Sequence, residues 1–163
     1  VYKRQIQGLT EFFPVSSSGH LVLFQDFLKI NNEGASAEII AHFGTLFSIL
    51  LFYKASFFSA KNDDDFFNIK TIKLLIISTI PAIIFGLIFD FEQFFNYDFV
   101  QLSLMANGML IILMSLLKNS FSLNFNTQSA LLLGLFQSIA ILPGISRSGM
   151  VISSAIMLGL NKR

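Results

Sequence analysis

Three side chains that hold or move charge, Glu11, His20 and Arg147, sit among clustered serines and glycines in an otherwise apolar chain. The first polar run is Gln7-Gly-Leu-Thr-Glu11-Phe-Phe-Pro14-Val-Ser16-Ser17-Ser18-Gly19-His20. The second is Gly134-Leu-Phe-Gln137-Ser-Ile-Ala-Ile-Leu-Pro143-Gly144-Ile-Ser146-Arg147-Ser148-Gly149. Ionisable groups at membrane depth are costly unless they are paired or line a wet cavity, so these three mark a site. The serines and glycines give that site the character of an oxyanion pocket. Free backbone N–H groups at a helix start, joined by hydroxyls, bind anions. Ser16, Ser17 and Ser18 stand directly before an apolar helix expected from about Gly19, where one of them also serves as its cap. In the second run Gly144 and Gly149 bracket Ser146-Arg147-Ser148. Glycine lets backbone approach a phosphate closely, and the guanidinium fork matches phosphate oxygens.

Each of these residues also has a plainer reading. Arg147 could pair with Glu11 as a structural lock, although the surrounding serines and glycines favour phosphate. Glu11 shares a helix face with Gln7. It suits a divalent cation, a general base, or simple neutralisation of Arg147. A hard ion such as Mg²⁺ or Ca²⁺ accepts one carboxylate plus substrate phosphates. His20 is a candidate for acid–base or nucleophilic work on phosphorus. His42 stands alone in an apolar stretch and reads as a helix-packing or hydrogen-bonding residue. Asp63-Asp64-Asp65 reads as a solvated loop rather than a metal site.

The elements that must position these groups are membrane elements. The chain has 163 residues, 53% apolar and 13% charged, with a mean hydropathy of +0.67. A net charge of +1 leaves no broad basic surface for nucleic acid. Cysteine is absent, which removes disulfides and thiolate metal sites. The start, Val1-Tyr-Lys-Arg-Gln5, has no initiating Met and no signal-peptide core, so the chain is expected to be a fragment. Crossing the hydrocarbon takes about 20 apolar residues. Residues 37–58, 72–89 and 99–117 are expected to span, with Pro81 a tolerable kink and Gly108 suited to close helix contact. The two polar runs fit a different element. Ile6–Phe13 and Gly19–Leu28, and likewise Ala130–Leu142 and Ser148–Leu160, are each too short to span. A half-length helix, a polar break and another half-length helix predict re-entrant hairpins over 6–28 and 130–160, tolerated where protein or water satisfies the backbone. The alternative is an ordinary spanning helix kinked at proline.

The two runs resemble each other. Gly8-Leu9-Thr10-Glu11 matches Gly134-Leu135-Phe136-Gln137, and Ser-x-Ser-Gly follows a proline in both. Three crossings between them would make the second hairpin enter from the opposite side, giving an inverted-topology repeat with its polar apices near the midplane. Lys54, Lys61, Lys70, Lys73, Lys118, Lys162 and Arg163 fall on one side, predicted to be cytoplasmic, whereas Asp90–Asp98 carries no Lys or Arg.

The motifs are familiar. The run from Gln7 to His20 resembles the (Glu/Gln)-x-x-x-Glu and Pro-Val-Ser-Ser-Thr-Gly-His signature of bacterial undecaprenyl-diphosphate phosphatases, the bacitracin-resistance family. Pro143-Gly-Ile-Ser-Arg-Ser-Gly149 resembles the family's second signature, and Ile80-Pro-Ala-Ile-Ile-Phe-Gly86 is similar to its proline-bearing helix. The likeness runs from about Ile6 to Arg163 in order and spacing. It implies an all-α, polytopic enzyme of the bacterial inner membrane that converts undecaprenyl diphosphate to the monophosphate carrier used in peptidoglycan synthesis, with bacitracin resistance as a consequence. By matching positions it implies catalytic roles for Glu11, Ser17, His20 and Arg147. It implies substrate binding by Gln7, Ser16, Ser18, Gly144, Ser146, Ser148 and Gly149, and a divalent cation at Glu11. The partners so implied are the polyprenyl diphosphate lipid and membrane lipid, with a homodimer left open.

Three features depart from the pattern. Gln7 removes one carboxylate, Val151 stands where the longer signature has Thr, and family members continue with further spanning helices that would complete the second half. Ser17 and His20 both remain candidates for the nucleophile. A transporter or flippase for an anionic lipid would use the same architecture. A non-catalytic assembly subunit would leave Glu11, His20 and Arg147 paired and dry.

Overall fold

The computed structural model describes residues 2–29, 35–54, 68–94, 96–117 and 123–160. Among these residues the protein is all-α. Its helices are α1 (Tyr2–Thr10), α2 (Ser17–Phe27), α3 (Ala35–Phe52), α4 (Ile69–Ile88), α5 (Tyr97–Leu116), α6 (Thr127–Ile139) and α7 (Arg147–Met157), with one 3₁₀ turn at Glu92–Phe94. The end of the expected first span (55–58), Lys61, Asp63-Asp64-Asp65, Lys118, Lys162 and Arg163 lie outside the described residues.

Asparagine starts three of the helices. Asn68, Asn96 and Asn126 each accept a hydrogen bond through Oδ1 from the backbone N–H three residues on, at 2.7, 2.9 and 3.0 Å. The short polar side chain satisfies a donor that the helix cannot. The cap at Asn68 moves the start of α4 to Ile69 from the Ile72 read off hydropathy, and the cap at Asn96 starts α5 at Tyr97 rather than Phe99. Helices α4 and α5 each have 20 residues, about 30 Å, enough to cross a bilayer core. Their outer faces stay bare: Leu87 is 82% exposed and Leu116 77%. Apolar surface of this extent suits lipid rather than water.

The remaining helices near the polar runs are short. Helices α1, α2, α6 and α7 have 9, 11, 13 and 11 residues, roughly 14–20 Å at 1.5 Å per residue. Proline and serine set the breaks. Helix α1 ends at Thr10, ahead of Pro14, and α6 ends at Ile139, ahead of Pro143; in a continued helix each proline ring would crowd the carbonyl of that last helical residue.

Helix α6 packs along α4 at a point built for close approach. A Cβ on Gly134 would lie 2.5 Å from the Ser78 carbonyl oxygen and 2.9 Å from Pro81 Cγ. Pro81 removes a backbone donor from α4, and the Gln137 side-chain amide donates to the Ser78 carbonyl beside that gap. Helix α7 packs on α5 and α6, α2 on α1 and α5, and α3 on α1. Met114, Ala140, Ile145 and Met150 form the core of the second polar run, surrounded by Leu110, Phe136, Leu142 and Met157.

Candidate active site

The two polar runs build the same local structure. Ser16 caps α2 and Ser146 caps α7. The Ser16 Oγ accepts from Gly19 N at 3.3 Å, and the Ser146 Oγ accepts from Gly149 N at 3.1 Å. In each run the cap hydroxyl also lies near the serine two residues on, Ser18 at 3.4 Å and Ser148 at 3.2 Å. The backbones differ: Ser16 has φ 64°, whereas Ser146 has φ −81°. A non-glycine residue with positive φ carries a conformational cost and is held there by its surroundings. Because the cap falls on Ser16, Ser17 and Ser18 belong to the first turn of α2 and not to the break, as the sequence reading had them.

The runs touch. A Cβ on Gly19 would lie 2.9 Å from Gly144 Cα, so this contact requires glycine on the α2 side. Ser148 Oγ donates to the Phe13 carbonyl at 3.4 Å. Gly144 has φ +95°, and a Cβ there would meet Ser103 Cβ at 2.6 Å and the Val100 carbonyl oxygen at 2.9 Å. The buried Asn107 of α5 accepts from Ser146 N through Oδ1 at 2.9 Å. The second loop is thus set into α5 by its backbone.

Glu11 is the hub of the first run. Its Oε2 accepts from Gln7 Nε2 at 2.6 Å and from Ser17 Oγ at 2.7 Å. His42 Nε2 of α3 stands 3.5 Å from the same oxygen, an ion pair when the imidazole is protonated. No ion pair joins Glu11 to Arg147 among the described residues, so the structural lock between them is absent. Instead both line one cavity of about 340 Å³, with Thr10, Phe13, Ser16, Ser17, Ser18, His42, Gln137, Ala140, Ile145, Ser146, Ser148 and Val151. Its lining combines a carboxylate and hydroxyls from the first run with a cation, hydroxyls and a helix start from the second. An anion held by Arg147 and the α7 N-terminus would face the Ser17–Glu11 pair.

Several residues singled out from sequence occupy other places. Gln7 is buried and holds Glu11, while its own Oε1 is buried without a hydrogen-bond partner. Gly144 shapes the second loop and Gly149 the first turn of α7, and neither lines the cavity; the close approach that Gly144 permits is to α5. His20 is half-buried outside the lining, its Nδ1 2.8 Å from the Ser16 carbonyl oxygen. The imidazole that faces the cavity belongs to His42. Sequence reasoning also passed over Asn107, although a side-chain amide within an apolar helix was a usable signal.

Comparison with known proteins settles the family. The model of the bacitracin resistance protein BacA family matches residues 5–163. The chain belongs to this family. It is 39% identical to undecaprenyl-diphosphatase 1 of Bacillus licheniformis, over 95% of this chain and 63% of that protein. It is 36% identical to an undecaprenyl-diphosphatase of Methanococcus maripaludis, over 96% of this chain and 66% of that protein. It is 38% identical to that of Halothermothrix orenii, over 96% and 62%. The chain therefore spans somewhat less than two thirds of the length of these curated relatives.

Proposed function

We propose that the protein hydrolyses undecaprenyl diphosphate to undecaprenyl phosphate and inorganic phosphate, recycling the lipid carrier for peptidoglycan synthesis and so conferring bacitracin resistance. The observation that carries this reading is the single cavity shared by Ser17–Glu11 and Ser146-Arg147-Ser148. The names of the relatives agree with it.

The geometry suits a two-step transfer. Ser17 Oγ attacks the terminal phosphorus, and Glu11, already accepting its proton at 2.7 Å, serves as base. The P–O bond to the bridging oxygen breaks and leaves undecaprenyl phosphate. Water then cleaves the phosphoserine, releasing inorganic phosphate and restoring the Ser17 hydroxyl. Arg147 and the N–H groups at the start of α7 stabilise charge on the transferring phosphoryl oxygens. His20, oriented through Nδ1 by Ser16, is retained as the alternative nucleophile or a proton carrier.

A divalent cation belongs to the proposal as well. Among the described residues no three His, Asp or Glu side chains cluster as a ready metal cage. One carboxylate at the cavity fits an ion that takes its other ligands from substrate phosphates and water. Glu11 would hold it, and the ion would supply neutralising charge to the diphosphate.

Placement in the bacterial inner membrane as a multi-pass protein is part of the same reading. The short pairs α1–α2 and α6–α7 would be re-entrant hairpins of an inverted repeat, with the polyprenyl chain in lipid between helices. Single cysteines at Lys54 and Asp90 should then label from opposite faces of sealed vesicles; labelling from the same face would refute this topology.

The activity is tested by phosphate release from undecaprenyl diphosphate by the full-length protein in detergent, with and without Mg²⁺ or Ca²⁺. Cation-dependent release without any gradient is expected. No release from a folded, monodisperse sample would overturn the phosphatase and favour a transporter of anionic lipid.

A further inference from the structure

Helix α3 turns one narrow stripe toward the rest of the protein. Where its side chains are described, His42, Thr45 and Ile49 are half-buried, while Phe43, Leu46, Phe47 and Leu50 are exposed. The spacing i, i+3, i+7 is one helix face. Helix α3 packs on α1, the helix that ends just before Glu11. An apolar residue on this stripe would suffice for packing. The chain instead places an imidazole there, 3.5 Å from Glu11 Oε2 and on the wall of the cavity.

We propose that His42 is a positioning residue of the active site, fixing the Glu11 carboxylate from outside its own chain segment. The inference rests on the phosphatase reading of the same cavity. Gln7 and Ser17 reach Glu11 from residues 4 before and 6 after it, from the helices α1 and α2 that flank the first loop. His42 reaches it from a separate helix. It therefore ties the orientation of the carboxylate to a helix outside the Gln7–Ser17 segment. A separation of 3.5 Å is longer than the about 2.7–3.2 Å of a formed N–H···O bond, and catalytic contacts that are long in an empty site tighten when it is occupied. Supporting partners of a reacting or metal-holding group commonly change activity by about 10–100-fold when removed.

The test uses the full-length protein and compares wild type, His42→Ala and His42→Gln in steady-state phosphate release. His42→Ala should lower kcat by about 10–100-fold with KM little changed. His42→Gln, which keeps an N–H donor, should recover most of the loss. An unchanged kcat in His42→Ala, or a loss that His42→Gln does not restore, would overturn the proposal. A second measurement does not depend on activity. Thermal midpoints of wild type, His42→Ala, Glu11→Ala and the double variant form a cycle that isolates the contact. The combined shift should be smaller than the sum of the single shifts; additive shifts would overturn the contact. If wild type released no phosphate, the phosphatase reading would fail, and this cycle would still decide whether His42 holds Glu11.

Discussion

The loop from Glu11 to Ser16 and the loop from Ala140 to Ser146 end in the same serine cap, but their surroundings are opposite. Pro143, Gly144, Ile145 and Ser146 are all buried, and the Ser146 N–H is held by Asn107. In the first loop Phe12 and Phe13 remain 59% and 61% exposed. The second loop is a fixed base that presents Arg147 and a helix start to the cavity. The first is an open arm that carries Glu11 to it, beside Ser17 at the start of α2. Repetition of a cap motif thus does not imply repetition of a role. Binding charge sits beside the buried loop, where an anion site gains from preorganisation, and the reacting groups sit beside the exposed one.

The largest effect expected from this division is on catalysis. Arg147→Ala should lower phosphate release by about 10²–10³-fold, and Arg147→Lys should recover little, because an ammonium lacks the planar fork. Full recovery by Lys would reduce Arg147 to a point charge.

The next contrast is in stability. Gly144→Ala forces a Cβ against α5 at positive φ and should cost about 1–3 kcal/mol or more in unfolding measurements. Gly8, in α1 beside the first loop, has nothing within 4 Å of where a Cβ would stand. Gly8→Ala should be neutral or stabilise by up to about 1 kcal/mol through helix propensity. Equal losses at both positions would erase the distinction between base and arm. Asn107→Ala, which strips the acceptor from the buried Ser146 N–H, should cost about 1–3 kcal/mol.

The smallest contrast lies in the caps. Replacing a serine cap by glycine ordinarily costs a few tenths of a kcal/mol. At Ser16 the positive φ offsets that loss, so Ser16→Gly should be milder than Ser146→Gly in thermal unfolding. The reverse order would place the strain elsewhere.

Much of this arrangement was readable from local chemistry. Prolines, serine caps and the lengths of the apolar runs mark where helices break, because those signals act over a few residues. The pairing of Glu11 with Gln7 followed from helical spacing, and α4 and α5 from hydropathy and length. Tertiary placement was not readable in the same way. Nothing local distinguishes His20, turned to the Ser16 carbonyl, from His42, which reaches the cavity from α3. Gly144 looked like a glycine for phosphate approach, yet its bare Cα serves contact with Val100 and Ser103. Asn107 disappears within an apolar helix until its partner, 39 residues away, is known.

The central claim is that the two loops serve one reaction, and the most direct measurement is single-turnover phosphate release by wild type, Glu11→Gln, Arg147→Ala and the double variant of the full-length protein. Residues that act as one unit give strongly non-additive losses. The double variant is expected to be about as slow as the slower single variant. Losses that multiply would mean that Glu11 and Arg147 act independently, and the shared site would have to be abandoned.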